Sequence, residues 1–130
     1  MSAFIHQEVA FSAPPARIYR ALMDSAEHAE FTGGPAQISA EEGGACSWHG
    51  GQITGRNIEL VPDQRIVQAW RAMHWDQGVY SIVRFELRAD GAGTRLILEQ
   101  AGHPEGSGEH LESGWQARYW EPLTTYLAEP

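Results

Sequence analysis

The sequence predicts an α+β fold in which an antiparallel sheet wraps around a long C-terminal helix. Three features predict it: an alternating segment near the start, a central block of short alternating segments separated by glycines, and apolar residues at helical spacing near the end. A chain of 130 residues has the size of one domain, so we expect residues 1–130 to form a single unit. Hydrophobic residues make up 42% of it, which is enough for a core.

The first part of the chain predicts one strand followed by two short helices. Apolar and polar residues alternate over Ala3–Phe11, as in a half-buried strand. The proline pair that follows suits the first turn of a helix over Ala16–Met23. Asp24 or Ser25 can cap a second short helix, which the next glycines and proline end.

The central block predicts a meander of short strands. Glycine pairs and Asp-Gly or Pro-Asp turns separate them, which favours antiparallel hairpins. The predicted strands are Gln37–Ala40, Ala45–His49, Gln52–Leu60, Arg65–Arg71, Val79–Arg88 and Thr94–Gln100. In Val79–Arg88 apolar residues alternate with charged ones, so one face of the sheet should be buried.

A polar, glycine-rich loop is predicted over Gly102–Glu109, followed by the long helix. Its apolar residues recur at helical spacing: Leu111, Trp115, Tyr119, Leu123 and Leu127. Pro122 lies inside this helix and lacks a backbone donor, so we expect a kink or an irregular turn there.

Charge and composition exclude several functions. Nine basic and seventeen acidic residues give a net charge of −8, which repels nucleic acid and anionic membranes, so neither is expected as a partner. All the basic residues are arginines, and without lysine there is no Schiff-base chemistry and no P-loop. The single cysteine, Cys46, fits a reducing compartment. With no signal-like or membrane-spanning run, we expect a cytoplasmic location.

No pattern indicates a catalytic residue, a metal or another cofactor. Cys46 and His49 fall on opposite faces of a strand, and no third ligand lies near them. The simpler interpretation is that Cys46 is a small buried residue and His49 sits at a turn. His103 and His110 flank the glycine-rich loop and are expected to be exposed.

Large aromatic residues are concentrated in the two elements that should face each other. The sheet block supplies Trp48, Trp70, Trp75 and Tyr80, and the last helix supplies Trp115, Tyr119 and Trp120. A helix across a curved sheet leaves a gap, which these rings either fill as core or line as an apolar cavity. Both interpretations stay open. Arg56 and Arg71 could hold an anionic or carbonyl end of a ligand, or could pair with acids on the sheet surface.

Four stretches together resemble a known family across essentially the whole chain. They are Phe31–Ala36, Gly51–Pro62, Ile66–Arg71 with Trp75, and Gly114–Leu123. They are similar to the activator of heat-shock-protein-90 ATPase homologue family, in the START-like, helix-grip superfamily. The resemblance implies a helix-grip fold. In the eukaryotic co-chaperone such a domain is the C-terminal half, so we expect a stand-alone, single-domain member here.

The leading functional hypothesis is non-catalytic binding of a small hydrophobic ligand, lipid or polyketide-like, between the sheet and the last helix. The predicted ligand-binding residues are Phe31, Trp48, Arg56, Trp70, Trp75, Tyr80, Trp115 and Tyr119. Gly102–Glu109 and Met73–Gly78 are candidate entrances, because glycine-rich loops can move beside a rigid sheet. One alternative, implied by the resemblance, is a protein-interaction role with a chaperone partner. Another is a cyclase- or hydrolase-like enzyme, and either a monomer or a homodimer is compatible with the sequence.

Overall fold

The structure is a computed structural model that describes residues 4–128. Seven antiparallel strands form one sheet: β1 (Ile5–Phe11), β2 (Gln37–Ile38), β3 (Ala45–Trp48), β4 (Ile53–Val61), β5 (Arg65–Ala72), β6 (Ser81–Asp90) and β7 (Gly93–Ala101). Their spatial order is β1-β7-β6-β5-β4-β3-β2, so β1 and β2 are the edges. Ala3, the first residue of the predicted first strand, lies outside the described residues. The predicted α+β architecture is confirmed.

The register of the central strands follows the apolar alternation. Phe85 of β6 lies opposite Ile66 of β5 and Leu98 of β7, and all three are buried. On β6 the neighbours of Phe85 are the charged Arg84 and Glu86, and Arg84 is exposed. A one-residue shift would turn the apolar side chains to solvent, so burial fixes this register.

Two short helices follow β1, as predicted. α1 (Pro15–Met23) begins with proline at its first position, where a missing N–H costs nothing. α2 (Ser25–Thr32) is capped by Asp24, whose side chain accepts from the Glu27 N–H at 2.9 Å. It ends at Gly33, whose φ of 80° is the left-handed conformation that glycine adopts without strain.

The C-terminal helix runs through three consecutive segments over residues 108–128. They are α3 (Gly108–Trp115), a π-helical turn (Gln116–Trp120) and α4 (Glu121–Ala128). The wide turn lies directly before Pro122, whose ring would clash with the carbonyl four residues earlier in a regular helix. The predicted irregular turn is therefore confirmed. The helix begins three residues earlier than its first predicted apolar residue, Leu111.

The bounds of β2 and β6 differ by two residues from the prediction. β2 stops at Ile38 because Asn57 binds the next backbone: its amide donates to the carbonyls of Ser39 at 2.7 Å and Glu41 at 3.0 Å. β6 starts at Ser81 rather than Val79, because the side chain of Arg71 binds the backbone of the preceding loop.

The core lies between the sheet and the C-terminal helix. Aromatic contacts join the helix to three strands: Trp120 packs on Phe11 of β1, and Trp115 packs on Trp70 of β5 and Phe85 of β6. The helix therefore crosses one face of the sheet. Within residues 4–128, no helix has both the length and the hydropathy needed to span a bilayer.

Candidate functional site

A cavity of about 400 Å³ lies between the start of the C-terminal helix and the β4–β5 side of the sheet. The loop between β5 and β6 forms one of its edges. Its lining residues are His49, Gln52, Ile53, Trp70, Ala72, Met73, His74, Trp75, Ser107, His110, Leu111, Gly114, Trp115, Arg118 and Tyr119. An apolar pocket with a few polar groups is the usual form of a small-molecule site.

The back wall of the cavity belongs to a row of four indoles. Trp70 and Trp115 line the cavity with ring centroids 5.1 Å apart. Trp48 lies behind Trp70 at 4.7 Å, and Trp120 stacks on Trp115 at 5.5 Å with an angle of 16°. The π-helical turn makes this stack possible, because the N–H of Glu121 bonds the carbonyl five residues earlier and so brings residues five apart into line.

Three of these indoles are fixed by glutamines from the sheet. Each indole N–H donates to a glutamine carbonyl oxygen: Trp70 to Gln68 at 2.9 Å, Trp115 to Gln100 at 2.9 Å and Trp120 to Gln7 at 2.7 Å. A buried indole N–H without a partner would cost about 1–3 kcal/mol. The glutamines therefore satisfy the indoles and also set the orientation of their rings.

Two histidines flank the hydroxyl of Tyr119: His49, which lines the cavity with Tyr119, and the buried His28, which does not line it. The Tyr119 hydroxyl lies 2.9 Å from His28 Nε2 and 3.4 Å from His49 Nε2. It can donate to one ring and accept from the other. The second ring nitrogen of His28, Nδ1, is buried and has no hydrogen-bond partner within residues 4–128.

The environment of this cluster keeps all three groups neutral. Burial, with a smaller contribution from His49, lowers the pKa of His28 to about 3. Burial and then the charge of Arg118 lower the pKa of His49. Burial raises the pKa of Tyr119 well above its ordinary value, although Arg118 acts in the opposite direction. Neutral groups of this kind can hydrogen-bond a carbonyl or hydroxyl of a ligand.

The structure brings four of the eight predicted ligand-binding residues to the cavity: Trp70, Trp75, Trp115 and Tyr119. Two others support them from behind. Phe31 packs edge-on against Tyr119 with centroids 5.9 Å apart, and Trp48 packs against Trp70.

The remaining two predicted residues do not line the cavity. Arg56 is exposed on β4, on the face opposite the buried Asn57. Tyr80 is 48% exposed beside the start of β6. Neither reaches the indoles, because strand alternation turns Arg56 outward and Tyr80 lies next to Ser81, whose side chain takes the inward position.

Arg71, the other cation considered for a ligand, is occupied by the backbone. Its guanidinium donates to the carbonyls of Trp75 at 2.7 Å and Val79 at 3.3 Å, and also to that of Asp76. These bonds fix the loop that carries Trp75 and delay the start of β6. Arg71 therefore positions one wall of the cavity and does not face its interior.

The histidines near the glycine-rich loop differ from each other. His110 is exposed, as expected from its position in the loop region, and it also lines the cavity. His103 was expected to be exposed, but it is 3% exposed, and neither of its ring nitrogens has a partner within the described chain. This expectation was wrong because the turn at Gly102, with a φ of 90°, folds the chain back against Tyr80 and Ser81.

Sequence reasoning missed Arg118, which lines the cavity beside Tyr119. A signal was present: Leu111, Gly114 and Arg118 are three and four residues apart, which places them on one side of a helix. It also missed His28, whose contact with Tyr119 joins residues 91 apart in the chain. Within residues 4–128, no group of three or more His, Cys, Asp or Glu side chains is placed to hold a metal.

Comparison with known proteins identifies the family of the chain. The sequence profile described as "Activator of Hsp90 ATPase homolog 1-like protein" matches residues 12–128. The chain belongs to this family. The resemblance recognised from the sequence motifs is thereby confirmed.

Similar proteins of this family include longer ones. The chain is 30% identical over 113 residues to the human activator of 90 kDa heat shock protein ATPase homolog 1, covering 87% of this chain and 33% of that protein. It is 35% identical over 107 residues to the homologue from Dictyostelium discoideum, covering 82% and 28%. The chain thus spans about a third of the length of these curated relatives.

Solved structures with the same fold align with all or nearly all of the chain. An HSP90 activator from Plasmodium falciparum superposes with a TM-score of 0.89 at 25% identity, covering 100% of this chain and 98% of that one. CalU16 from Micromonospora echinospora has a TM-score of 0.84 at 21% identity, covering 98% and 77%. The second likeness concerns the fold alone.

Proposed function

We propose that the protein binds a small hydrophobic or aromatic molecule in the cavity without changing it chemically. The observation that carries the proposal is the cavity of about 400 Å³ walled by Trp70, Trp75 and Trp115. The remaining indole surface inside it is apolar, and covering such surface contributes about 25 cal/mol per Å². A flat ring or a branched apolar chain gains most from these walls.

The geometry of the walls supports binding to a preformed site. Trp70 and Trp115 are each held by a glutamine, and Trp75 is carried by a loop that Arg71 binds. Walls fixed in this way lose little conformational freedom when a ligand enters, which favours affinity. Tyr119 and His49 offer hydrogen bonds to a polar end of the ligand.

Gly114 provides the means to test the proposal. It lines the cavity, and a Cβ built on it would meet no atom within 4 Å. Gly114→Leu therefore has room for its Cβ, and we expect its larger side chain to reduce the space for a ligand. The substitution also replaces a glycine inside a helix, which favours the helix. Ala117→Leu is the matched control, because Ala117 is exposed on the same helix and does not line the cavity.

The experiment is a thermal-shift and native mass spectrometry screen of the full chain with lipids, polyketides and aromatic compounds. We expect at least one compound to bind the wild type and Ala117→Leu, to lose affinity for Gly114→Leu, and to be recovered unmodified. The proposal is wrong if no compound binds the wild type, or if the compounds bind Gly114→Leu with the same affinity as the wild type. Recovery of a converted compound would favour the enzyme alternative instead.

Family membership supports a second candidate, a protein-interaction role of the co-chaperone type. Relatives that share this domain are named activators of the heat shock protein ATPase, and the chain matches about a third of their length. The test is a pull-down with the 90 kDa chaperone together with its ATPase rate. Binding together with stimulation of the ATPase would support this role. The absence of both binding and stimulation would exclude it.

A further inference from the structure

The cavity lining carries positive charge, whereas the net charge of the protein is negative. Its one permanently charged lining residue among residues 4–128 is the cation Arg118, and three histidines, His49, His74 and His110, line it as well. Among residues 4–128 no aspartate or glutamate lines it, although the chain has seventeen acidic and nine basic residues. An acidic protein repels anions in general, so a basic mouth of this kind focuses them at one place.

Arg118 is the permanent charge at this mouth, and it has no partner there. Five arginines pair with glutamates within residues 4–128: Arg17, Arg20, Arg65, Arg84 and Arg95. Arg118 makes no salt bridge or side-chain hydrogen bond to any described residue. Its charge nevertheless reaches into the site, since it contributes, after burial, to the lowered pKa of His49.

The position of Arg118 places an anion binder directly beside the aromatic walls. It lies three residues after Trp115 and precedes Tyr119, and all three line the cavity. A planar guanidinium binds a carboxylate through two parallel hydrogen bonds. A ligand with a ring and a carboxylate would therefore meet complementary chemistry at both ends.

Resting on the function proposed above, we propose that the ligand is a small aromatic carboxylic acid. Its ring lies against Trp70 and Trp115, and its carboxylate pairs with Arg118 at the mouth. A buried neutral lipid or polyketide would leave the guanidinium unused, whereas a carboxylate uses both the apolar wall and the free cation.

The test compares two compounds of the same shape, 4-phenylbenzoate and 4-phenylbenzamide. The full chain is titrated with each, by isothermal calorimetry and by the fluorescence of the cavity tryptophans. We expect the carboxylate to bind roughly tenfold more tightly than the amide, because only the carboxylate can form a charged pair with the guanidinium. Arg118→Gln should remove this preference, so that the two compounds bind with similar affinity. Arg118→Lys should keep part of the preference.

Arg88→Gln is the matched control, because Arg88 is exposed on β6 and does not line the cavity. It should preserve the preference for the carboxylate. Equal binding of the two compounds to the wild type would overturn this inference but leave the proposed cavity function standing. A preference that survives in Arg118→Gln would also overturn it. If neither compound binds, the inference is wrong, and the wider screen with Gly114→Leu then decides the proposed function separately.

Discussion

Replacing the buried His28 by glutamine should weaken the acid sensitivity of the protein. The His28 ring is 1% exposed, its Nε2 lies 2.9 Å from the Tyr119 hydroxyl, and its Nδ1 has no partner among residues 4–128. The folded protein therefore resists protonation of this ring, and its pKa is lowered to about 3. The unfolded chain takes up the proton near the ordinary value of 6.5.

The size of the effect follows from linkage between protonation and folding. Above the unfolded pKa neither state carries the proton, so His28 imposes no penalty there. As the pH falls from 6.5 towards 3, the unfolded state binds the proton and the folded state does not, so the free energy of unfolding decreases. Each pH unit in this window costs about 1.4 kcal/mol, so the penalty at pH 5 is about 2 kcal/mol.

The assay is urea unfolding of the wild type and His28→Gln at pH 7 and at pH 5. Going from pH 7 to pH 5, the variant should lose about 2 kcal/mol less stability than the wild type. His6→Gln is a control of opposite sign. Hydrogen bonds that the protonated His6 ring donates to Glu8 and Glu99 raise the pKa of His6, so His6 stabilises the fold at low pH. Equal pH dependence in wild type and His28→Gln, or an NMR titration of His28 with a midpoint near 6.5, would refute the reasoning.

Three further substitutions test individual contacts and backbone conformations of the fold. Gln100→Leu should destabilise the fold by about 1–3 kcal/mol in urea unfolding, because the indole N–H of Trp115 loses its acceptor; an unchanged midpoint would contradict this. Gly55→Ala should cost about 3 kcal/mol or more, since its Cβ would overlap the Ala69 carbonyl oxygen on the adjacent strand. Gly78→Ala should cost only about 1 kcal/mol, because its φ of 85° is strained for alanine but nothing lies nearby. Equal losses for the two glycine variants would show that close approach is not the cause.

The fold was predictable where one local pattern determined the structure. The alternation in Val79–Arg88 predicted which residues of β6 are buried, and Pro122 predicted an irregular turn in the last helix. The prediction failed where a distant side chain intervened. Arg71 binds the loop before β6, and Asn57 binds the backbone after β2, so both strands are shorter at one end than their composition suggests.

The site was predictable only in its apolar part. Trp70 and Trp115 come from elements that face each other, and the sequence left open whether they fill a core or line a cavity; in the structure both line the cavity. The polar part depends on contacts between residues far apart, such as His28 with Tyr119, which no periodicity encodes. The same limit applies to His103, since polarity predicts exposure and only the folded chain shows its burial.

The π-helical turn connects the stability of the fold to the shape of the cavity. Pro122 forces the helix to widen before it, and widening places Trp120 under Trp115 instead of beside it. Trp115 is then held by stacking on Trp120 and by its hydrogen bond to Gln100, and both contacts oppose its rotation into the cavity. An unfilled space of about 400 Å³ would otherwise be lost to side-chain collapse. The cavity therefore persists because the backbone distortion and the buried hydrogen bonds oppose its closure, which is the condition that a preformed ligand site requires.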